Sequence, residues 1–334
     1  MAGIASFALL VSACASNTGP GPVKTRTHIV TAQPGGNSPS TQSPASASSS
    51  SSVPVGPVGK PVRVSSAVLS DGSQVGVGMP IIVLLSRPIK DARGFAKATT
   101  VRVNGKIVHG AWYFERKYGD KGHPIEADYR PRSYWPGHAH IHFELRTHHV
   151  SAGKGLYFAN RLSLDFTTGA SNILTVDDAT HRLTVMSDGK QWPNASTTFP
   201  VSLGASNTPT RRGTKVIMEK GLSICMHGPG YSECHIKYTQ RLTYDGEYLH
   251  SAPWNCEGSP GCTGPGNNIG RADSSNGCTN LTPRDAKKLY GFLEIGDVVQ
   301  YPNASGPLMG LGDGYGDWNV PWPQWQTGGL YRTS

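Results

Sequence analysis

His138-Ala139-His140-Ile141-His142-Phe143-Glu144-Leu145 alternates polar and apolar side chains at almost every step. Neighbouring side chains of a strand point to opposite faces, so a period of two predicts a half-buried β-strand with Ile141, Phe143 and Leu145 turned inward. Similar short runs surround it: Val75 to Val77, Pro80 to Leu85, Thr100 to Val103, Ala111 to Phe114 and Leu162 to Phe166. Turn signals such as Ser70-Asp71-Gly72 and Val103-Asn104-Gly105-Lys106 separate them. This rhythm predicts an all-β, immunoglobulin-like sandwich over residues 61–171. The imidazoles of His138, His140 and His142 share the other face of the central strand. Three such groups could ligate a metal, but the apolar partners suit the core side so well that a solvated outer face is expected and no metal ligand is assigned.

Composition agrees with a β-rich chain. Among 334 residues there are 41 Gly and 25 Pro, with only 16% charged side chains, which disfavours helical bundles and coiled coils. The net charge of +9 suits an anionic partner such as nucleic acid, membrane headgroups or an acidic wall polymer, and equally well simple solubility. Beyond the first dozen residues no apolar run approaches the ~20 needed to cross a bilayer as a helix.

The first 14 residues, Met1 to Cys14, form a short apolar stretch that ends in small residues, like a secretory leader. Val11-Ser12-Ala13-Cys14 resembles a bacterial lipobox, whose cysteine is lipidated, although no Lys or Arg precedes the apolar run. Residues 15–60, with Gly19-Pro20-Gly21-Pro22 and a Ser/Ala tract from Ala45 to Ser52, have too few large apolar side chains to offset ordering entropy. A disordered tether is expected there, spanning about 35–40 Å as a flexible coil.

From residue 172 a second β-rich domain is expected to run to 302, with strands at Ile173 to Val176, Arg182 to Met186, Thr198 to Ser202, Val216 to Met218 and Val298 to Gln300. It holds one clear helix. Thr282 and Asp285 form a capping box, Pro283 occupies the first helical position, and Ala286, Leu289, Tyr290 and Leu293 recur at helical spacing. Residues 303–334 form an extension rich in Trp and Pro. Its Trp318, Trp322 and Trp325 could stack on sugars, but burial against the domain at 172–302 is the favoured reading.

Outside the cytoplasm loop cysteines tend to pair. Short separations suggest Cys225 with Cys234 and Cys256 with Cys262, though four cysteines allow three connectivities. Zinc is the rival reading, and spacings of C-x8-C and C-x5-C do not match the usual knuckles. Cys278 is then the odd thiol. It precedes the capped helix by a few residues, where the helix dipole would favour a thiolate. Upstream, His250 ends a strand and could serve as the base, with Ser251 placed to fix the ring tautomer.

His250-Ser251-Ala252-Pro253-Trp254, followed by Ser275-Asn276-Gly277-Cys278-Thr279-Asn280 and Gly296-Asp297-Val298-Val299, resembles the catalytic core of the L,D-transpeptidases (YkuD family), in particular the actinobacterial branch. Phe199 to Gly204, Thr208-Pro209-Thr210 and Gly213-Thr214 resemble the strands that open that domain, Gly316 to Trp322 its C-terminal extension, and Asp71-Gly72, Val77 to Pro80 and Tyr129 to Pro136 its preceding immunoglobulin-like module. The resemblance implies a peptidoglycan transpeptidase that joins tetrapeptide stems by 3→3 cross-links through a thioester on Cys278. An L,D-carboxypeptidase using the same acyl-enzyme and a catalytically impaired wall-binding protein are the alternatives. His250 would be the base, oriented by the Ser251 carbonyl, with an oxyanion site around Asn276, Gly277 and Cys278. Tyr238, Trp254 and Asn280 would contact substrate. The resemblance further implies acylation by carbapenems, a lid over residues 217–238, no cofactor, no nucleic-acid partner, and an extracytoplasmic protein anchored to the membrane through Cys14. In one respect the chain departs from the family: Asn276 stands where a second His is usual, and an amide carries no charge.

Overall fold

The computed structural model describes residues 57–117, 122–228 and 231–334. The leader at 1–14, Cys14 and nearly all of the tether expected at 15–60 lie outside these residues.

The first domain comprises β1 (Lys60–Val62), β2 (Val64–Ser66), β3 (Gln74–Val75), β4 (Ile81–Leu85), helix α1 (Arg93–Lys97), β5 (Thr99–Val103), β6 (Lys106–Ile107), β7 (Gly110–Arg116), β8 (Ile125–Pro131), β9 (His140–Leu145), β10 (Leu156–Phe158) and β11 (Leu162–Thr168). Sheets in the order β2-β4-β8-β7 and β3-β11-β9-β5-β6 make the expected sandwich, with β1 and β10 paired in parallel beside them. Helix α1, unforeseen in the sequence, carries Phe95 into the core, where its ring lies 4.9 Å from that of Trp112 and 5.5 Å from that of Phe114. Strand β8 was equally hidden, because all seven of its residues are buried and its second face carries Glu126, Asp128 and Arg130. On β9, Ile141, Phe143 and Leu145 are buried as the alternation requires. Only two of the three imidazoles share its outer face. His140 and His142 both reach Asp165, at 3.2 and 3.0 Å, whereas His138 precedes the strand and pairs with Asp188 at 2.8 Å.

The second domain contains β12 (Asn172–Asp177), β13 (Arg182–Ser187), β14 (Lys190–Trp192), β15 (Phe199–Pro200), β16 (Gly213–Val216), β17 (Glu219–Gly228), β18 (Tyr231–Arg241), β19 (Tyr248–Ser251), β20 (Thr279–Leu281), helix α2 (Pro283–Phe292) and β21 (Val298–Tyr301); helix α3 (Trp322–Trp325) belongs to the extension. One sheet runs β14-β13-β12-β21-β16 and a second β17-β18-β19-β20. Helix α2 is capped as its sequence predicts: the Thr282 hydroxyl accepts the Asp285 amide at 3.2 Å and donates to the Asp285 carboxylate at 2.9 Å. Its Ala286 and Leu289 are buried against the core shared by the two sheets. The long β17–β18 hairpin was not foreseen as strands, since both sides of it are largely exposed and no clean apolar period marks it.

The two domains dock through backbone. The amides of Gly76 and Gly78 donate to the carbonyls of Ile295 and Gly296, both at 2.8 Å. A side chain at Gly76 would stand 2.1 Å from the Asp297 nitrogen, which restricts the position to glycine.

The extension departs from expectation in part. Its first part packs on the second domain as expected, with the Gly306 and Met309 amides donating to the Thr210 and Arg212 carbonyls at 2.9 and 3.0 Å and Asn319 Oδ1 accepting the Thr214 amide at 2.7 Å, but it then crosses back to the first domain. There the Phe114 amide donates to Gly328 and the Leu330 amide to Phe114, Trp325 is fully buried with its indole donating to Ala111 at 2.9 Å, and Tyr113 stacks on it. The physical reason is that β7 is the edge of its sheet, so covering it satisfies backbone groups that would otherwise stay open to pairing with another chain.

Candidate active site

Strands β19 and β20 run parallel, with Leu249 opposite Thr279, His250 opposite Asn280 and Ser251 opposite Leu281. Because side chains alternate, Leu249, Thr279 and Leu281 turn into the core while His250 and Asn280 share the other face with Cys278, two residues before Asn280. The parallel register thus brings together two residues 28 positions apart. His250, Cys278 and Asn280 line one cleft of about 360 Å³, whose walls are Met226, Glu233 and Ile236 from the hairpin, Trp254, and the Ser274–Asn276 turn.

A tight loop presents the thiol. Gly277 adopts a φ of +107°, a conformation that costs a residue with a β-carbon far more than it costs glycine. The Ser275 hydroxyl donates to the Cys278 carbonyl at 2.5 Å and accepts the Gly277 amide at 3.1 Å, while Thr210 donates its hydroxyl to the Gly277 carbonyl at 2.9 Å. The Gly277 amide is therefore already engaged, so an oxyanion site built on it is not preformed. Asn276 is exposed on the wall of the cleft.

His250 Nδ1 lies 2.9 Å from the Ser251 carbonyl oxygen. A carbonyl can only accept, so Nδ1 carries the proton and Nε2 is left as the basic nitrogen. Burial pushes the imidazole down to about 4 and the Cys278 thiol up to about 12. The resting pair is consequently neutral thiol and neutral imidazole rather than thiolate and imidazolium. Here the helix-terminus expectation is corrected. Strand β20 intervenes between Cys278 and the cap at Thr282, four residues or ~13 Å of extended chain, and the dipole acts only near the first turn. The thiol donates instead to the Gly246 carbonyl at 3.5 Å.

Beneath the loop lies a group of charges that sequence reasoning missed. Lys215, fully buried, is paired with Glu247 and sits 3.9 Å above the Tyr301 ring. The Tyr301 hydroxyl bonds Thr279 at 2.7 Å. Both charges act on the thiol: Glu247 pushes its pKa up and Lys215 pulls it down. The available signal was a lone lysine directly before the apolar end of a predicted strand, at Lys215-Val216-Ile217.

Of the expected substrate contacts, Trp254 is 42% exposed on the cleft with its ring 6.0 Å from that of His250. Asn280 is buried there, and its Oδ1 has no hydrogen-bond partner. Tyr238 is not at the cleft; it lines a neighbouring groove together with Lys237 and Ser251, because its φ of +56° interrupts the alternation of β18 that would otherwise put it on the face of Ile236. Disulfides join Cys225 to Cys234 across the hairpin and Cys256 to Cys262 in the loop after Trp254, and Cys278 is the free cysteine among the described residues.

Comparisons with known proteins agree with this architecture. Residues 171–300 match the family model of the L,D-transpeptidase catalytic domain and residues 14–151 that of a bacterial Ig domain. L,D-transpeptidase 2 of Mycobacterium tuberculosis is 29% identical over 267 residues, covering 77% of this chain and 60% of the relative. For L,D-transpeptidase 5 of the same species the figures are 28% over 263 residues, 77% and 54%. The matches thus span little more than half the length of these relatives. Among solved structures, an L,D-transpeptidase from Mycobacterium smegmatis shares 25% identity at a TM-score of 0.54, covering 73% of this chain and 100% of that one. An L,D-transpeptidase solved in complex with imipenem has the same fold, at 24% identity and a TM-score of 0.55 over 74% of this chain and 100% of that one. A free thiol in the loop before β20 and a tautomer-fixed imidazole on the neighbouring strand β19 thus lie in a domain, residues 171–300, that matches the L,D-transpeptidase catalytic domain and follows a bacterial Ig domain.

Proposed function

We propose that this protein is a cysteine-dependent peptidoglycan L,D-transpeptidase that forms 3→3 cross-links. The observation that carries the proposal is that Cys278 and His250 line one cleft, with Nε2 of the imidazole left as acceptor by the bond from Nδ1 to the Ser251 carbonyl. In the first step Cys278 Sγ attacks the carbonyl of the third residue of a donor tetrapeptide stem, and the thiol proton passes to His250 Nε2 as the C–S bond forms. Collapse of the tetrahedral intermediate breaks the amide bond, His250 returns the proton to the departing D-alanine amine, and a thioester remains. The side-chain amine of a diaminopimelate on a second stem then attacks the thioester, gives its proton to His250, and releases the thiol. Starting from a neutral pair, proton transfer accompanies attack instead of preceding it, which suits a thiol held at about 12 and a base held at about 4.

Trp254 and the hairpin residues Met226 and Ile236 supply an apolar wall that would exclude water from the thioester. Asn280, with its unpartnered buried Oδ1, would accept an N–H of the stem. Cys14 would carry the lipid that places the catalytic domain outside the cytoplasm at the membrane surface, and carbapenems would acylate Cys278 as surrogate donors. Purified tetrapeptide stems provide the test. Stem dimers with release of D-alanine are expected; tripeptides alone would identify an L,D-carboxypeptidase, and unchanged stems would identify a wall-binding protein without activity.

A further inference from the structure

The polar face of the β7–β8 ribbon carries a buried acidic stripe that the catalytic account does not use. Glu115 on β7 stands directly opposite Glu126 on β8, and Asp128 follows Glu126 by two residues on the same face. Glu126 and Asp128 are buried, at 7% and 3% exposure, and so is Asp317 of the extension, at 1%. Lys117, paired with Glu126, and Arg130, bonded through its guanidinium to the Val320 carbonyl at 2.7 Å, are the cations packed into the stripe among the described residues. Four carboxyls against two cations leave two negative charges uncompensated when all are ionised. Asp128 Oδ1 and Asp317 Oδ1, on different elements, are both buried without a hydrogen-bond partner. Burying an unpaired carboxylate is too costly to persist without a counter-charge or a proton.

We propose that this stripe binds one divalent cation with a preference for oxygen ligands, Ca²⁺ or Mg²⁺, on the immunoglobulin-like sheet. One oxygen each from Glu115, Glu126 and Asp128 lies within 4.8 Å of the others. Two oxygens on opposite sides of a calcium ion, each about 2.4 Å from it, are separated by about the same distance, so one ion can reach all three. The donors are all carboxylates, the ligand set of hard cations rather than of zinc or copper. An entry path exists: a surface cleft of about 410 Å³ opens on Glu115, Arg116, Lys117 and Glu126, with Tyr244 of the second domain and Gly312 of the extension also lining it. The second cluster of this type, Asp178, His181 and Asp273, is only half-buried and carries no comparable pair of unpartnered carboxylates.

The full chain, stripped with EDTA, is titrated with CaCl₂ and separately with MgCl₂ by calorimetry at pH 8, and its melting is followed in parallel. Uptake of one ion per chain is expected with a Kd on the order of 10⁻⁴–10⁻³ M, and Tm should rise by about 3–6 °C at ten-fold excess over Kd. Asp128→Asn should abolish both responses, and in EDTA it should melt no lower than the wild type, because it removes one charge from a repelling set. Glu115→Gln, at the more exposed end, serves as the second variant and should weaken binding at least ten-fold. Absence of stoichiometric uptake of either ion at millimolar concentration would overturn the proposal, as would uptake that both substitutions leave intact.

Discussion

Lys215→Met and Glu247→Gln probe the buried charges beneath the catalytic loop, and the structure assigns them the same sign in one measurement and opposite signs in another. Lys215 is fully buried and Glu247 nearly so, and each is the other's closest counter-charge; Glu247 additionally accepts the Arg211 amide at 2.8 Å. Removing either partner strands a buried charge, at a cost of about 3–5 kcal/mol, or roughly 6–20 °C in Tm for a domain of this size. The double variant should regain most of that loss, since no lone charge remains. Reactivity should separate the two. Glu247 raises the thiol pKa and Lys215 lowers it, and a unit charge a few ångströms away acts with a few kcal/mol at an effective dielectric near 20. At a fixed pH, Lys215→Met should slow alkylation of Cys278 about ten-fold or more and Glu247→Gln should accelerate it. Iodoacetamide labelling, quantified on the Cys278 peptide by mass spectrometry across pH 6 to 10, reads both. A shift in the same direction for the two variants, or no shift in either while both remain folded, would refute the electrostatic role assigned to the pair.

Two further outcomes follow from the site. His250 is held neutral at about 4, below its ordinary 6.5; the unfolded chain therefore takes up a proton between those values that the native chain refuses, and stability contributed by the neutral ring is lost as pH falls from 6.5 to 4, by up to roughly 3 kcal/mol. Asp297 and Asp317, held up at about 7, slope the other way, so the readout is the difference between wild type and His250→Gln, and equal Tm profiles for the two would contradict it. The Cys225–Cys234 bridge crosses the hairpin that brings Met226 and Glu233 to the cleft; Cys225→Ser with Cys234→Ser should lower the acylation rate severalfold by loosening that wall, and an unchanged rate would count against a stiffening role.

Legibility in the sequence followed periodicity. Strands with one wet face, such as β9 and β13, and helix α2 with its Thr282 cap and Pro283, announce themselves because alternation or capping is local chemistry. Strand β8 did not, since burial on both faces erases the alternation that marks a strand, and its charged face is covered by an extension that lies 190 residues later in the chain. The β17–β18 hairpin failed for the opposite reason, having little burial on either side. Within the site, Cys278, His250 and the Ser251 carbonyl were readable because they sit in contiguous motifs. Lys215 and Glu247 were not, because their pairing joins strand β16 to the start of β19, a proximity set by sheet topology alone. Tyr238 lies off the cleft for a local reason: its positive φ interrupts the alternation of β18, a backbone turn that residue spacing does not reveal.

Intact-mass analysis of the full chain after incubation with a carbapenem tests the catalytic proposal most directly. A single covalent adduct is predicted on the wild type, mapping to Cys278, lost in Cys278→Ala and formed far more slowly in His250→Gln. An unmodified wild type, or an adduct that survives Cys278→Ala, would contradict the assignment of Cys278 as the nucleophile.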